Sequence, residues 1–96
     1  MTLRDELKNR REEIIRLASM HGARNVRVFG SVARGEADEK SDIDFLVDME
    51  QGRSLLDLGG LLMDLQDVLG REVDVVTERG LNPRIRDSVL KEAVVL

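Results

Sequence analysis

Apolar residues recur at helical spacing from the start of the chain. Leu3, Leu7, Ile14, Leu17 and Ala18 share one face of a helix predicted from Leu3 to Met20, with Thr2 as N-cap and Gly22 as the stop. Asp5 and Glu6 sit in its first turn, where the helix dipole favours acids. A short strand, Val26 to Phe29, breaks at Gly30-Ser31, and a helical turn through Val32-Ala33-Arg34 leads into a polar stretch, Gly35 to Ser41. The next strand runs from Ile43 to Asp48. After Gln51-Gly52, Ser54 caps a second helix carrying Leu55, Leu58, Leu61, Leu62, Leu65 and Leu69. Gly59 and Gly60 weaken that helix by roughly 1 kcal/mol each relative to Ala, and Gly70 ends it. Glu72 to Val76 reads as a third strand. Asn82-Pro83 opens a last helix with Ile85, Val89 and Ala93 on its apolar side, and Val94-Val95-Leu96 is an apolar tail.

One helix fills the ~20 residues between the second and third strands, the length of a crossover that makes them parallel. The expectation is a small α/β fold, with a mixed sheet of three to four strands and flanking helices. The 96 residues suit a single domain spanning 1–96, with room for one modest core.

Composition narrows the chemistry. The absence of cysteine excludes a disulfide scaffold, a thiolate zinc site and a cysteine nucleophile. A formal charge of −4 argues against backbone-driven nucleic-acid binding, and two phenylalanines with no Trp or Tyr leave little for base stacking. No apolar run reaches the ~20 residues of a membrane span, and the N-terminus lacks the core of a signal peptide, so a cytoplasmic location is expected. The charge is unevenly spread: residues 1–35 carry a balance of +4, residues 36–78 of −10 and residues 79–96 of +2. An acidic middle can be a solvated surface; it is also what a divalent cation needs, since hard cations take carboxylate oxygens.

The informative stretch runs from Gly30 to Asp44. A glycine directly after a strand lets backbone approach a ligand, and Ser31 adds a hydroxyl and an N–H at the start of a helical turn, where an anion such as phosphate is favoured. Arg34, one turn on, can cover the same anion. Asp42 and Asp44, two apart on a strand, point to one face and present paired carboxylates suited to a divalent metal. The alternative is structural, with Asp42 capping a turn and Asp44 paired to an arginine. The loop does not continue as an EF-hand, whose third acidic position and central glycine are missing. Asp74, a charge among valines, is a third carboxylate that converges on the pair if the strands are neighbours in register. Three aspartates beside a phosphate-cradling loop describe a two-metal nucleotide site.

Gly30-Ser31, ten residues, then Asp42-Ile43-Asp44 resembles the Gly-Ser…Asp-x-Asp signature of the DNA polymerase β-like nucleotidyltransferases. In length and layout the chain resembles their minimal nucleotidyltransferase (MNT) domain over nearly all its length. The resemblance implies a type VII toxin-antitoxin antitoxin that transfers AMP from ATP to a hydroxyl, that of a tyrosine, on a HEPN-domain ribonuclease toxin. It implies that Gly30 and Ser31 hold nucleotide phosphates, that Asp42 and Asp44 bind Mg²⁺, as two ions by the two-metal logic, and that Asp74 is the third ligand and base. Arg34 is implied as a further nucleotide contact. The competing expectation is a non-catalytic module that neutralises its partner by contact.

A chain of this length has no separate acceptor domain, so a protein partner is expected to bring the acceptor. The apolar tail and the leucine-rich helix are expected in the core, with a contact surface as the alternative. Assembly with itself or with a partner stays open, since small chains often gain stability by assembling. His21 is expected as a helix C-cap, Asp48 and Glu50 as a solvated strand exit, and Arg10-Arg11 as an exposed helix face. Met1 is read as the initiator, and Met20, Met49 and Met63 as packing residues.

Overall fold

The capping pattern at the N-terminus forms as predicted: the Asp5 N–H donates to the Thr2 hydroxyl, and the Asp5 carboxylate accepts from the Thr2 N–H. The computed structural model describes residues 2–96, so Met1 lies outside the described residues. The expected single helix is two, α1 (Leu3–Asn9) and α2 (Arg11–Met20). Arg10 leaves helical geometry at φ −104°, ψ 15°, and its guanidinium donates to the Val68 carbonyl at 2.8 Å. A long-range bond to backbone, invisible to periodicity, accompanies the break. Arg11 is likewise tied down, donating to the Leu96 carbonyl at 2.8 Å, so the pair is not simply an exposed face.

Strand β1 (Ala23–Phe29) begins earlier than predicted because its register with the next strand resumes past an irregularity between Arg24 and Arg27. Asn25 takes φ 52° there, a left-handed conformation that Asn tolerates at a bulge. Then follow α3 (Gly30–Arg34), β2 (Ile43–Met49), α4 (Leu55–Leu69), β3 (Val73–Thr77), α5 (Pro83–Glu92) and β4 (Val94–Val95). Ser54 and Asp57 make a second capping box, and Asn82 caps α5 by accepting from the Arg84 N–H. Gly60, a weak point for α4 by propensity, is where the His21 ring lies; a Cβ there would stand 2.9 Å from His Cε1. His21 caps α2 as expected, and its Nε2 also meets Asp64 Oδ2 at 2.6 Å, joining the two helices.

The sheet order is β3-β2-β1-β4. β2 and β3 are parallel across the α4 crossover, while β1 runs antiparallel to both β2 and β4. This is the expected α/β architecture with a mixed sheet, and the apolar tail supplies its fourth strand. One face buries Ile43, Phe45 and Val47 with Val28 and Val75 against Leu7, Ile14, Ala18, Leu61 and Leu65. The other face carries a smaller cluster of Leu46, Leu81 and Val89, joined by Phe29, Val76 and Leu90, beneath α5. Leu96 is in the core as expected, whereas Val95 is 66% exposed. Among the leucines of α4, Leu61 and Leu65 are buried, but Leu55 is 84% exposed. Met20 and Met63 are also at the surface and do not pack. No helix among the described residues is long and apolar enough to cross a membrane.

Leu46 anchors α5 on the face where the acidic residues of β2 and β3 stand. Leu46→Ala is expected to lower unfolding free energy by about 2–5 kcal/mol in urea titration. Ile85→Ala, on the half-exposed side of α5, is expected to change it by no more than ~0.5 kcal/mol.

Candidate active site

Gly30 ends β1 in the left-handed region at φ +70°, and a Cβ on it would run into the Asp44 carboxylate. Glycine is therefore demanded twice, by the turn and by the close approach. Register explains the approach, since Phe29 faces Asp44 across the antiparallel pair and Gly30 follows at once. Ser31 is half-buried in the first turn of α3, and its carbonyl accepts from the Glu36 N–H at 2.9 Å. Gly35 closes α3 in a left-handed cap.

The loop that returns to β2 is shaped by its own side chains. Asp38 accepts from the Lys40 N–H at 2.8 Å and from the Ser41 hydroxyl, and these bonds hold its carboxyl below the usual carboxylate range. Arg71 donates to the Glu39 carbonyl at 3.0 Å. Asp38, not Asp42, caps this turn, and Asp42 emerges exposed at the mouth of β2.

Asp44 faces Asp74 directly in the parallel register of β2 and β3, and Asp42, one residue before β2, is near enough for its charge to act on Asp44. The structure thus sets two of the three aspartates singled out in the sequence, Asp44 and Asp74, side by side, with Asp42 at the mouth of β2 beside them. Asp42 and Asp74 are exposed and Asp44 is half-buried. The Asp44 carboxyl is pushed up from its ordinary value of 3.8 by burial first, then by the charges of Asp74, Asp42 and Glu92, against the pull of Arg34. Among the described residues neither Asp42 nor Asp44 forms a salt bridge, so the structural alternative of an arginine-paired Asp44 is not realised.

These residues fit a divalent cation by donor chemistry: the site is all oxygen, carboxylate-rich and self-repelling, and a cation held by Asp42, Asp44 and Asp74 would relieve that repulsion. Among the described residues no three Asp, Glu or His side chains are already gathered closely enough to hold an ion. The register aligns the carboxylates without closing them into a cage.

Arg34 is occupied. It donates to Glu92 Oε1 at 2.6 Å and, through Nε, to Glu36 Oε2 at 2.9 Å, and these bonds raise its pKa further. Glu92 is the residue that sequence reasoning missed. It closes α5, accepts from the Gly30 N–H at 2.9 Å and is held below the ordinary carboxylate range, chiefly by Arg34. Asp48 and Glu50 lie outside this corner, paired with Arg27 at 2.9 Å and Arg53 at 3.4 Å.

The Nucleotidyltransferase domain family matches residues 5–96, and the chain belongs to that family. A Methanocaldococcus jannaschii protein, MJ0435, provisionally named a protein adenylyltransferase, is 46% identical over 84 residues, 88% of this chain and 90% of the relative. Protein adenylyltransferase MntA of Thermococcus cleftensis is 45% identical over 78 residues, 81% of this chain and 79% of the relative. A solved structure provisionally described as a minimal nucleotidyltransferase superposes with a TM-score of 0.87 at 54% identity, covering 100% of this chain and 97% of its own. A crystal structure of a toxin-antitoxin with AMP-PNP shares the fold at a TM-score of 0.75 and 23% identity, over 88% of this chain and 69% of that one. The expectation of a nucleotidyltransferase with a minimal nucleotidyltransferase fold is borne out.

Two outcomes follow from this geometry. Gly30→Ala forces a left-handed alanine and displaces Asp44, and nucleotide transfer is expected to fall at least ~10²-fold in a labelled-nucleotide assay. Because the native state raises the Asp44 pKa, it binds that proton more tightly than the unfolded chain does. Stability contributed by the site therefore falls as pH rises above about 3.8, and the charged Asp44 is a cost at neutral pH. Without divalent cations, Asp44→Asn is expected to raise Tm at pH 7 by about 2–4 °C, the effect of a screened ~0.5 kcal/mol, and to flatten the dependence of Tm on pH.

Proposed function

We propose that this chain is a Mg²⁺-dependent protein adenylyltransferase and the antitoxin of a type VII toxin-antitoxin pair. It transfers AMP from ATP to a tyrosine hydroxyl of a HEPN ribonuclease toxin, and its residues 1–96 act as one nucleotidyltransferase domain. The observation that carries the reading is the in-register Asp44–Asp74 pair beside the glycine that ends β1. The names of the relatives at 45–46% identity support a protein acceptor. The HEPN partner and the tyrosine come from the family resemblance.

In this reading the Gly30 and Ser31 backbone and the Ser31 hydroxyl grip the β- and γ-phosphates, and the Arg34 fork covers the same anion. Asp42, Asp44 and Asp74 hold the Mg²⁺ ions. Bound there, Mg²⁺ supplies charge neutralisation for the triphosphate and for the attacking and leaving oxygens. Asp74, exposed at the edge strand, faces an incoming acceptor and takes the proton of its hydroxyl. The acceptor oxygen bonds to the α-phosphorus in line as the bond to the β-phosphate oxygen breaks, and pyrophosphate leaves.

Label transfer from α-labelled ATP with Mg²⁺ in lysate of the source cells tests this, with the Asp42→Asn/Asp44→Asn double variant as control. One protein band labelled by α- but not γ-labelled ATP is expected, weakened at least ~10³-fold by the double variant, a loss within the range of removing charge stabilisation from a transition state. No band, with both forms retaining the same neighbour equally in pull-down, would establish the contact-only alternative instead.

A further inference from the structure

The groups assigned to phosphate binding already hold an anion. The two carboxylate oxygens of Glu92 are divided between them: Oε2 accepts from the Gly30 N–H at 2.9 Å, and Oε1 accepts from Arg34 at 2.6 Å. A phosphate group presents a pair of oxygens at similar spacing, with more charge. Both anions cannot use one N–H and one guanidinium edge together. A triphosphate arriving beside Glu92 also meets a carboxylate whose charge already acts against that of Asp44.

We propose that Glu92 is a built-in competitor for the nucleotide's β- and γ-phosphates, holding their place on Gly30 and Arg34 and setting how tightly the site binds nucleotide. The inference rests on the phosphate reading of Gly30, Ser31 and Arg34. The backbone at Glu92 is secured on both sides, by α5 before it and by the pairing of Val94 with Val28 after it, so release needs only side-chain rotation. The side chain is 24% exposed and has solvent to turn into. A residue that merely tied α5 to β1 has no reason to sit on the amide of the glycine that opens the loop. Its loss would weaken the fold and leave nucleotide affinity unimproved.

Calorimetric titration of the full chain with a non-hydrolysable ATP analogue and Mg²⁺ at fixed ionic strength tests this, on wild type, Glu92→Gln and Glu92→Ala. The Kd for the analogue is expected to fall about tenfold in Glu92→Gln and at least as far in Glu92→Ala, the size of one charge-assisted bond at a partly exposed site. AMP, which lacks the β- and γ-phosphates, is expected to change less than twofold. Wild-type binding with unchanged or weaker affinity in the variants overturns the proposal and leaves the phosphate reading intact. Equal tightening for AMP overturns it too, since the effect then lies elsewhere. Absence of analogue binding in every folded form overturns the phosphate reading and the proposal together. A second measurement needs no variant: the carbon-13 resonance of the Glu92 carboxylate in wild type should move on adding the analogue and stay put with AMP. A resonance unmoved by saturating analogue would overturn the proposal.

Discussion

Parallel pairing of β2 with β3 sets Asp44 against Asp74, and the remainder of the site is arranged around the repulsion this creates. Two carboxylates fixed by a backbone ladder cannot drift apart as two loop residues would; only their side-chain torsions are free. The α4 crossover makes the strands parallel, and the register brings the charges level. A one-residue slip would turn Asp74 to the opposite face, among Val28, Phe45 and Leu61, where a carboxylate has no partner. The same alternation that buries Val73 and Val75 therefore holds Asp74 at the surface. Core and site are specified by one register.

The other walls of the corner come from antiparallel neighbours. Phe29 opposite Asp44 brings the end of β1 to the acidic pair, and the missing Cβ of Gly30 lets the carboxylate fit against the turn. α5 then crosses the open face on Leu46, Leu81 and Val89 and ends with Glu92 over the Gly30 amide. A small apolar cluster thus sets how near a carboxylate comes to the loop. Packing and site electrostatics are coupled through α5.

What was legible in the sequence was short-range or periodic. Gly30-Ser31 and Asp42-x-Asp44 could be placed because a strand alternates its faces and a glycine marks a turn, and the caps at Thr2, Ser54 and Asn82 lie within three residues of what they cap. The parallel β2–β3 pair followed from the length and helical pattern between the strands. What was hidden depends on distant partners. The break at Arg10 goes with a bond to Val68, the space at Gly60 is filled by His21, and the tail became β4 by pairing with β1. Glu92 looked like any acid in the last turn of a helix, and its partners Gly30 and Arg34 lie 62 and 58 residues away. No local pattern encodes that meeting; the path of α5 over the sheet does.

The acidic middle of the chain had two readings, a solvated surface and a cation site, and the structure separates them residue by residue. Most of its partly buried acids have a structural partner: Asp48 has Arg27, Asp57 has Ser54 and Arg53, Asp64 has His21, and Glu78 lies 3.9 Å from Arg86. The acids without such partners, Glu39, Asp42, Asp67, Glu72 and Asp74, are exposed, where water screens them. Among the described residues of 36–78, Asp44 alone is partly buried, acidic and without either a hydrogen-bonding or an ion-pair partner. Burial and the charges of Asp74, Asp42 and Glu92 raise the cost of its charge, and Arg34 offsets only part of it. A carboxylate kept there at the expense of stability, when asparagine or valine would pack more cheaply on the same strand, marks the position at which the fold yields to chemistry.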